Sequence, residues 1–80
     1  MYYVYVLRSL KDGSLYKGYT TDLESRLNQH NKGKTKSTSR KIPWELVYYE
    51  EYSELHDALK REKYFKSSAG RRYIKSKGIK

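Results

Sequence analysis

Cysteine is absent from the 80-residue chain, so neither a disulfide framework nor a thiolate metal site braces it, and no cysteine nucleophile can act in it. Long hydrophobic runs are also missing: nothing approaches the length of a membrane span, and the opening MYYVYVLRS alternates like a strand rather than grading into a signal peptide. The expectation is a soluble, cytoplasmic protein with no membrane partner, folded as one small domain over 1–80 whose core is thin. Acids are scarce, nine Asp and Glu against 18 Lys and Arg, giving +9 and a pI near 9.8. Such an excess on a small surface favours polyanions, nucleic acid first among them.

The charge is unevenly placed. Residues 60–80 hold nine basic side chains and one acid, Glu62, while KGKTKSTSRK at 32–41 holds five and no acid. A single Lys or Arg solvates a surface; two clusters bracketing a balanced chain point to a nucleic-acid backbone. The candidate contacts are Lys17, Lys32, Lys34, Lys36, Arg40, Lys66, Arg71 and Arg72. Aromatic character rests on ten tyrosines, with one Phe and one Trp. Tyrosine suits half-buried strands, and it also stacks on bases.

Along the chain, YYVYVLRS at 2–9 and SLYKGYT at 14–20 read as strands joined at an Asp-Gly turn. Thr21 and Glu24 have capping-box spacing for a helix over about 22–31, stopped by Gly33. Residues 32–41 lack apolar periodicity and read as a flexible basic loop closed by Pro43 and Trp44. ELVYYEEY at 45–52 is a third strand. Ser53 is placed to cap a second helix whose stripe is Leu55, Ala58, Leu59, Glu62 and Phe65, and a shorter helix follows at about 68–77, weakened by Gly70. The fold class is α+β: a small three-stranded antiparallel sheet flanked by helices, in the order β-β-α-β-α-α.

Helical spacing puts Leu23, Arg26, Leu27 and His30 on one stripe, and Glu62 lies on the stripe of the second helix. Any one of the three polar residues could be snorkelling or locally paired, as Glu62 could be with Lys66. Together they describe a cleft lined by Arg, His, a carboxylate and tyrosines, since buried charge is costly unless paired or metal-bound. That inventory suits phosphodiester hydrolysis. An Arg fork meets phosphate charge, a lone carboxylate holds one Mg²⁺ or Mn²⁺ ion, and a Tyr or His takes a proton from water. With only His30 and His56 and no cysteine, zinc is a poor fit.

YVY at 3–5 and, ten residues on, YKG at 16–18 resemble the two signatures of GIY-YIG endonucleases, and the resemblance continues through Arg26, His30 and Glu62 in REKYFK. It covers nearly the whole chain and is similar to the small standalone bacterial members. The resemblance implies that Tyr5 activates the attacking water or is itself deprotonated, with His30 assisting, and that Tyr16 shapes the site. It implies that Arg26 stabilises the transition state, that Glu62 is the metal ligand, and that the bare Gly18 lets the phosphate approach. Tyr3 and Lys17 depart from the signatures, and Tyr19 stands where several members carry lysine. An asparagine found late in some members has no counterpart after Glu62.

The implied function is a metal-dependent endonuclease that nicks DNA with little sequence preference, structure-selective in DNA repair or processing. The alternative is a non-catalytic nucleic-acid-binding module, an RNA- or DNA-associated adaptor; a third reading is a partner-dependent nuclease that is inert alone, and a protein partner could supply specificity.

Overall fold

The computed structural model describes residues 1–78; residues 79 and 80, which end the expected 1–80 domain and its basic segment, lie outside the described residues. Among the described residues the chain order is β1 (Tyr2–Ser9), β2 (Leu15–Thr20), α1 (Leu23–Asn31), a 3₁₀ turn at Ser39–Lys41, β3 (Trp44–Tyr52), α2 (Leu55–Phe65) and α3 (Ser68–Ser76). This is the expected α+β order, with β1 at the centre of an antiparallel sheet ordered β2-β1-β3. The tight turn between β1 and β2 uses Gly13 at φ +79, a conformation that glycine adopts without the clash a Cβ brings.

Alternation along β1 sends Val4 and Val6 to one face and Tyr5 and Leu7 to the other. On the first face lies a core of Val4, Val6, Ala58, Phe65 and Ile74, covered by α2 and α3. On the second, Tyr5, Leu7 and Trp44 pack with Tyr16, Leu23, Leu27, Ile42 and Leu46 beneath α1. β3 feeds both faces through a bulge. Val6 pairs with Tyr48 but Leu7 pairs with Leu46, so the extra residue Val47 shifts the alternation by one. As a result Leu46 joins the α1 side while Val47 and Tyr48 join the α2 side.

Several local expectations need correction. Asp22, not Thr21, caps α1: the Thr20 hydroxyl accepts from the Asp22 backbone N–H at 3.1 Å, turning the chain so that the Asp22 carboxylate accepts from Ser25 N–H at 3.1 Å. At α2 the N-cap is Glu54 rather than Ser53, and its side chain makes no capping bond. The inward stripe of α2 is also rotated: Ala58 and Phe65 are buried, but Leu55 and Leu59 are each 39% exposed. Arg61 takes the inward place instead, because Glu50 on β3 offers it a forked pair at 2.8 and 3.2 Å and the rings of Tyr64, Phe65 and Tyr73 lie 4.6–4.8 Å from its guanidinium carbon. Gly70, which weakens α3 by helix propensity, is what lets α3 close on α2. A Cβ there would stand 1.8 Å from the Tyr64 carbonyl oxygen and 2.5 Å from the Phe65 Cα.

The 32–41 segment, expected as a flexible loop, is pinned at its far end. Thr38 is buried, its carbonyl accepts from the Trp44 indole N–H at 2.9 Å, and the Lys41 carbonyl accepts from the Ser9 hydroxyl at 2.7 Å. Composition alone hid this, because the anchoring groups are two backbone carbonyls and one threonine among several small polar residues.

Candidate active site

Of the five residues singled out for chemistry, Arg26 and His30 both contact the hydroxyl of a third, Tyr5, and Tyr16 packs beside them. Tyr5 sits mid-strand on the α1 side of the sheet and is only 2% exposed. α1 runs across that face, and its spacing of four residues brings Arg26 and His30 to the same phenol. The Arg26 Nε–H donates to Tyr5 Oη at 3.3 Å, and Tyr5 Oη lies 3.0 Å from His30 Nε2. Tyr16, on β2, brings its ring 4.9 Å from the imidazole in an edge-to-face contact and packs on Trp44 beyond it. Arg26 is steadied from its own helix by donating through Nη1 to Gln29 Oε1 at 3.0 Å.

Gly18 lies directly across from Tyr5 in the β1–β2 register. A Cβ at Gly18 would meet Tyr5 Oη at 2.7 Å and Tyr5 Cζ at 2.9 Å. The missing side chain makes room for the phenol of Tyr5.

Glu62 approaches from α2. Its side chain is 20% exposed, and Lys66, one turn on, stands 3.5 Å from its Oε2, so the local partner expected for it is present. The carboxylate also acts on Tyr5 through space, and its charge is among the influences that hold the Tyr5 phenol above its ordinary value. Burial is the largest of these; the Arg26 contact opposes it, and Tyr16 and Glu62 reinforce it. His30 is held below the ordinary imidazole range, by burial first and by the Arg26 charge second. Arg26 is held above the usual guanidinium range, chiefly because the Tyr5 hydroxyl accepts from it. At neutral pH these directions describe a neutral phenol, a neutral imidazole and a charged guanidinium meeting at one oxygen.

The basic residues fall into two groups. Lys32 and Lys34 line an open groove along α1 with Asp22, Glu24, Ser25, Asn28 and Gln29, while Lys36 and Arg40 are exposed farther along the same segment. Lys17 is on the other face: it points to the α2 side opposite Val6 and borders a cavity of about 270 Å³ with Leu15, Arg71, Ile74 and Lys75. Burial and the charges of Arg71 and Lys66 hold the Lys17 amine below its ordinary value. Arg72 is exposed on α3.

Sequence reasoning missed Thr38, whose hydroxyl lies 2.8 Å from His30 Nδ1, and Gln29, which steadies Arg26. Gln29 follows Arg26 at helical spacing and could have been noticed; Thr38 carried no signal. The donors present suit a hard cation. Among the described residues no group of three or more His, Cys, Asp or Glu is gathered, and Glu62 is the carboxylate coupled to the tyrosine site. One carboxylate oxygen pair completed by water and substrate oxygen fits Mg²⁺ or Mn²⁺ rather than zinc.

A small sheet sets a tyrosine of one strand beside a tyrosine of the next, and the following helix closes an Arg and a His on them. The family model for the GIY-YIG catalytic domain matches residues 1–75, and the chain belongs to that nuclease family. It is 45% identical over 80 residues to a UPF0213 protein of Bacillus licheniformis, an overlap covering 95% of this chain and 81% of the relative. It is 46% identical over 65 residues to a UPF0213 protein of Streptococcus agalactiae serotype V, covering 80% and 73%. The solution NMR structure of a UPF0213 protein from Bacillus halodurans matches with a TM-score of 0.56 at 36% identity, over 95% of this chain and 84% of that one. No described helix is long and apolar enough to cross a membrane.

Proposed function

We propose that the protein is a divalent-metal-dependent endonuclease that hydrolyses phosphodiester bonds in DNA with little sequence preference. The observation that carries this reading is the hydroxyl of the buried Tyr5 held between Arg26 and His30, a donor that cannot accept and an imidazole that can. Arg26 only donates, so the phenol's own proton is directed at His30 Nε2. As a water attacks phosphorus, it gives a proton to the Tyr5 oxygen while the phenol proton passes to Nε2. The water oxygen forms a bond to phosphorus, one ester P–O bond breaks, and the departing sugar oxygen takes a proton from solvent. Such a positioned base contributes about 10²–10⁴-fold to rate. Arg26, anchored through two of its five N–H groups, turns the others to the non-bridging oxygens, where charge builds in the transition state.

Glu62 would hold the metal ion, and the ion when bound would neutralise charge on the phosphate. The Lys66 contact at 3.5 Å is loose enough to yield to it. Lys32, Lys34, Lys36 and Arg40 on one side, and Lys17, Lys66, Arg71 and Arg72 on the other, position the backbone without reading sequence.

The test is conversion of supercoiled plasmid to nicked circles in Mg²⁺ or Mn²⁺, beside a chelator control and Glu62→Gln. Nicking that requires metal and falls at least about 10²-fold in Glu62→Gln is expected. Folded wild type that binds DNA or RNA equally well with and without chelator, and never nicks, would instead favour the non-catalytic module.

A further inference from the structure

His30 is wholly buried, and both of its ring nitrogens are engaged: Nε2 faces Tyr5 Oη at 3.0 Å and Nδ1 faces Thr38 Oγ1 at 2.8 Å. A neutral imidazole carries one proton, so one nitrogen must donate and the other accept. Two independent counts of donors and acceptors give the same answer. At Tyr5, the phenol oxygen already accepts from Arg26, and the phenol proton needs an acceptor that Arg26 cannot be; His30 Nε2 is that acceptor. At Thr38, the Thr35 carbonyl lies 3.3 Å from the hydroxyl and can only accept, so it draws the Thr38 proton and leaves the hydroxyl oxygen to accept from Nδ1–H.

From this we propose that Thr38 is a positioning residue: its hydroxyl, turned by the Thr35 carbonyl, holds His30 in the Nδ1–H form and so keeps Nε2 as the acceptor facing Tyr5. When Nε2 takes the phenol proton, the resulting imidazolium has an acceptor on its far side already in place. The inference rests on the proposed role of His30 for its kinetic consequence, but the ring form itself does not depend on any activity. The position of Thr38 does not depend on its hydroxyl either. Its carbonyl is held by the Trp44 indole and by Lys41 N–H at 3.2 Å, and its N–H donates to the Thr35 carbonyl at 3.1 Å. Removing the hydroxyl therefore spares the bonds that shape the segment.

The experiment combines ¹⁵N imidazole spectra of His30 with cleavage kinetics in wild type, Thr38→Val and Thr38→Ser. Wild type is expected to show a pyrrole-like Nδ1 and a pyridine-like Nε2. Thr38→Val should shift this pattern toward the Nε2–H form and lower kcat about 10–100-fold, part of what a positioned base contributes, with KM changed less than about twofold. Thr38→Ser, which restores the hydroxyl, should return both. A wild-type ring protonated on Nε2 overturns the proposal, and that spectrum decides even where Thr38→Val fails to fold. An unchanged ring form in folded Thr38→Val also overturns it, whatever happens to cleavage. A ring form that follows the hydroxyl in a protein without nuclease activity supports the role of Thr38 and counts against the nuclease reading instead.

Discussion

At the scale of single residues, the candidate site is built around one phenol and the space made for it. Gly18 and Tyr5 share a register position, and the atoms that a Cβ would strike belong to the group that contacts both Arg26 and His30. Gly18→Ala is therefore expected to fold but to push the Tyr5 hydroxyl off its partners, lowering kcat by about 10²-fold, the cost of roughly an ångström of misplacement. Steady-state cleavage with a thermal melt as a fold control checks this, and wild-type kcat in Gly18→Ala would contradict it. Arg26, His30 and Glu62 stood out because helical spacing puts them on inward stripes, and Tyr5 and Tyr16 because their joint pattern with these residues resembles a known family. Thr38 was not, since it acts through a tertiary contact across eight residues of polar chain. Gly18 was noticed, but its reason could only be read once the Tyr5 ring was seen lying over it.

At the scale of elements, the strands and helices followed from alternation, periodicity and turn residues, and what escaped was what tertiary packing decides. The rotation of α2 is the clearest case. An apolar stripe drawn through Leu55 and Leu59 is the better amphipathic pattern, yet the helix turns Arg61 inward because Glu50 waits on β3 with the hydroxyls of Tyr48 and Tyr52 donating to the same carboxylate at 2.5 and 2.7 Å. Burial on its own would raise the Glu50 carboxyl, but hydrogen bonds from Arg61, Tyr48 and Tyr52 hold it below its ordinary value. The same carboxylate pushes Tyr52 up to about 12, after burial. A carboxyl whose folded value is depressed contributes stability that is present above its unfolded value and lost as pH falls through the folded one. Glu50→Gln should therefore be destabilised at neutral pH, by about 2–4 kcal/mol given that both partners keep some solvent contact. The gap from wild type should narrow on acidification below about pH 4.5. Urea unfolding across that range measures it; a gap independent of pH would contradict the assigned ionisation.

At the scale of the whole molecule, a body 29 × 26 × 18 Å across carries a net charge of +9. The basic groups lie on both sides of the sheet, one along α1 and its following segment and one around Lys17 and α3. If about five of these cations engage backbone phosphates, DNA affinity should fall with a log–log salt slope of about −4 to −5, and each Ala substitution of an engaged Lys or Arg should make it shallower by about one. A slope near zero would mean that the charge serves solubility alone.

In the proposed mechanism the Tyr5 hydroxyl takes part in the chemistry and the Tyr5 ring in packing. Tyr5→Phe keeps the ring that fills the core and removes only the oxygen between Arg26 and His30, so it separates the two roles. The measurement is single-turnover DNA cleavage by Tyr5→Phe, with DNA affinity determined on the same preparation. A rate lowered by about 10² or more with affinity unchanged is expected; cleavage at the wild-type rate would overturn a chemical role for the hydroxyl.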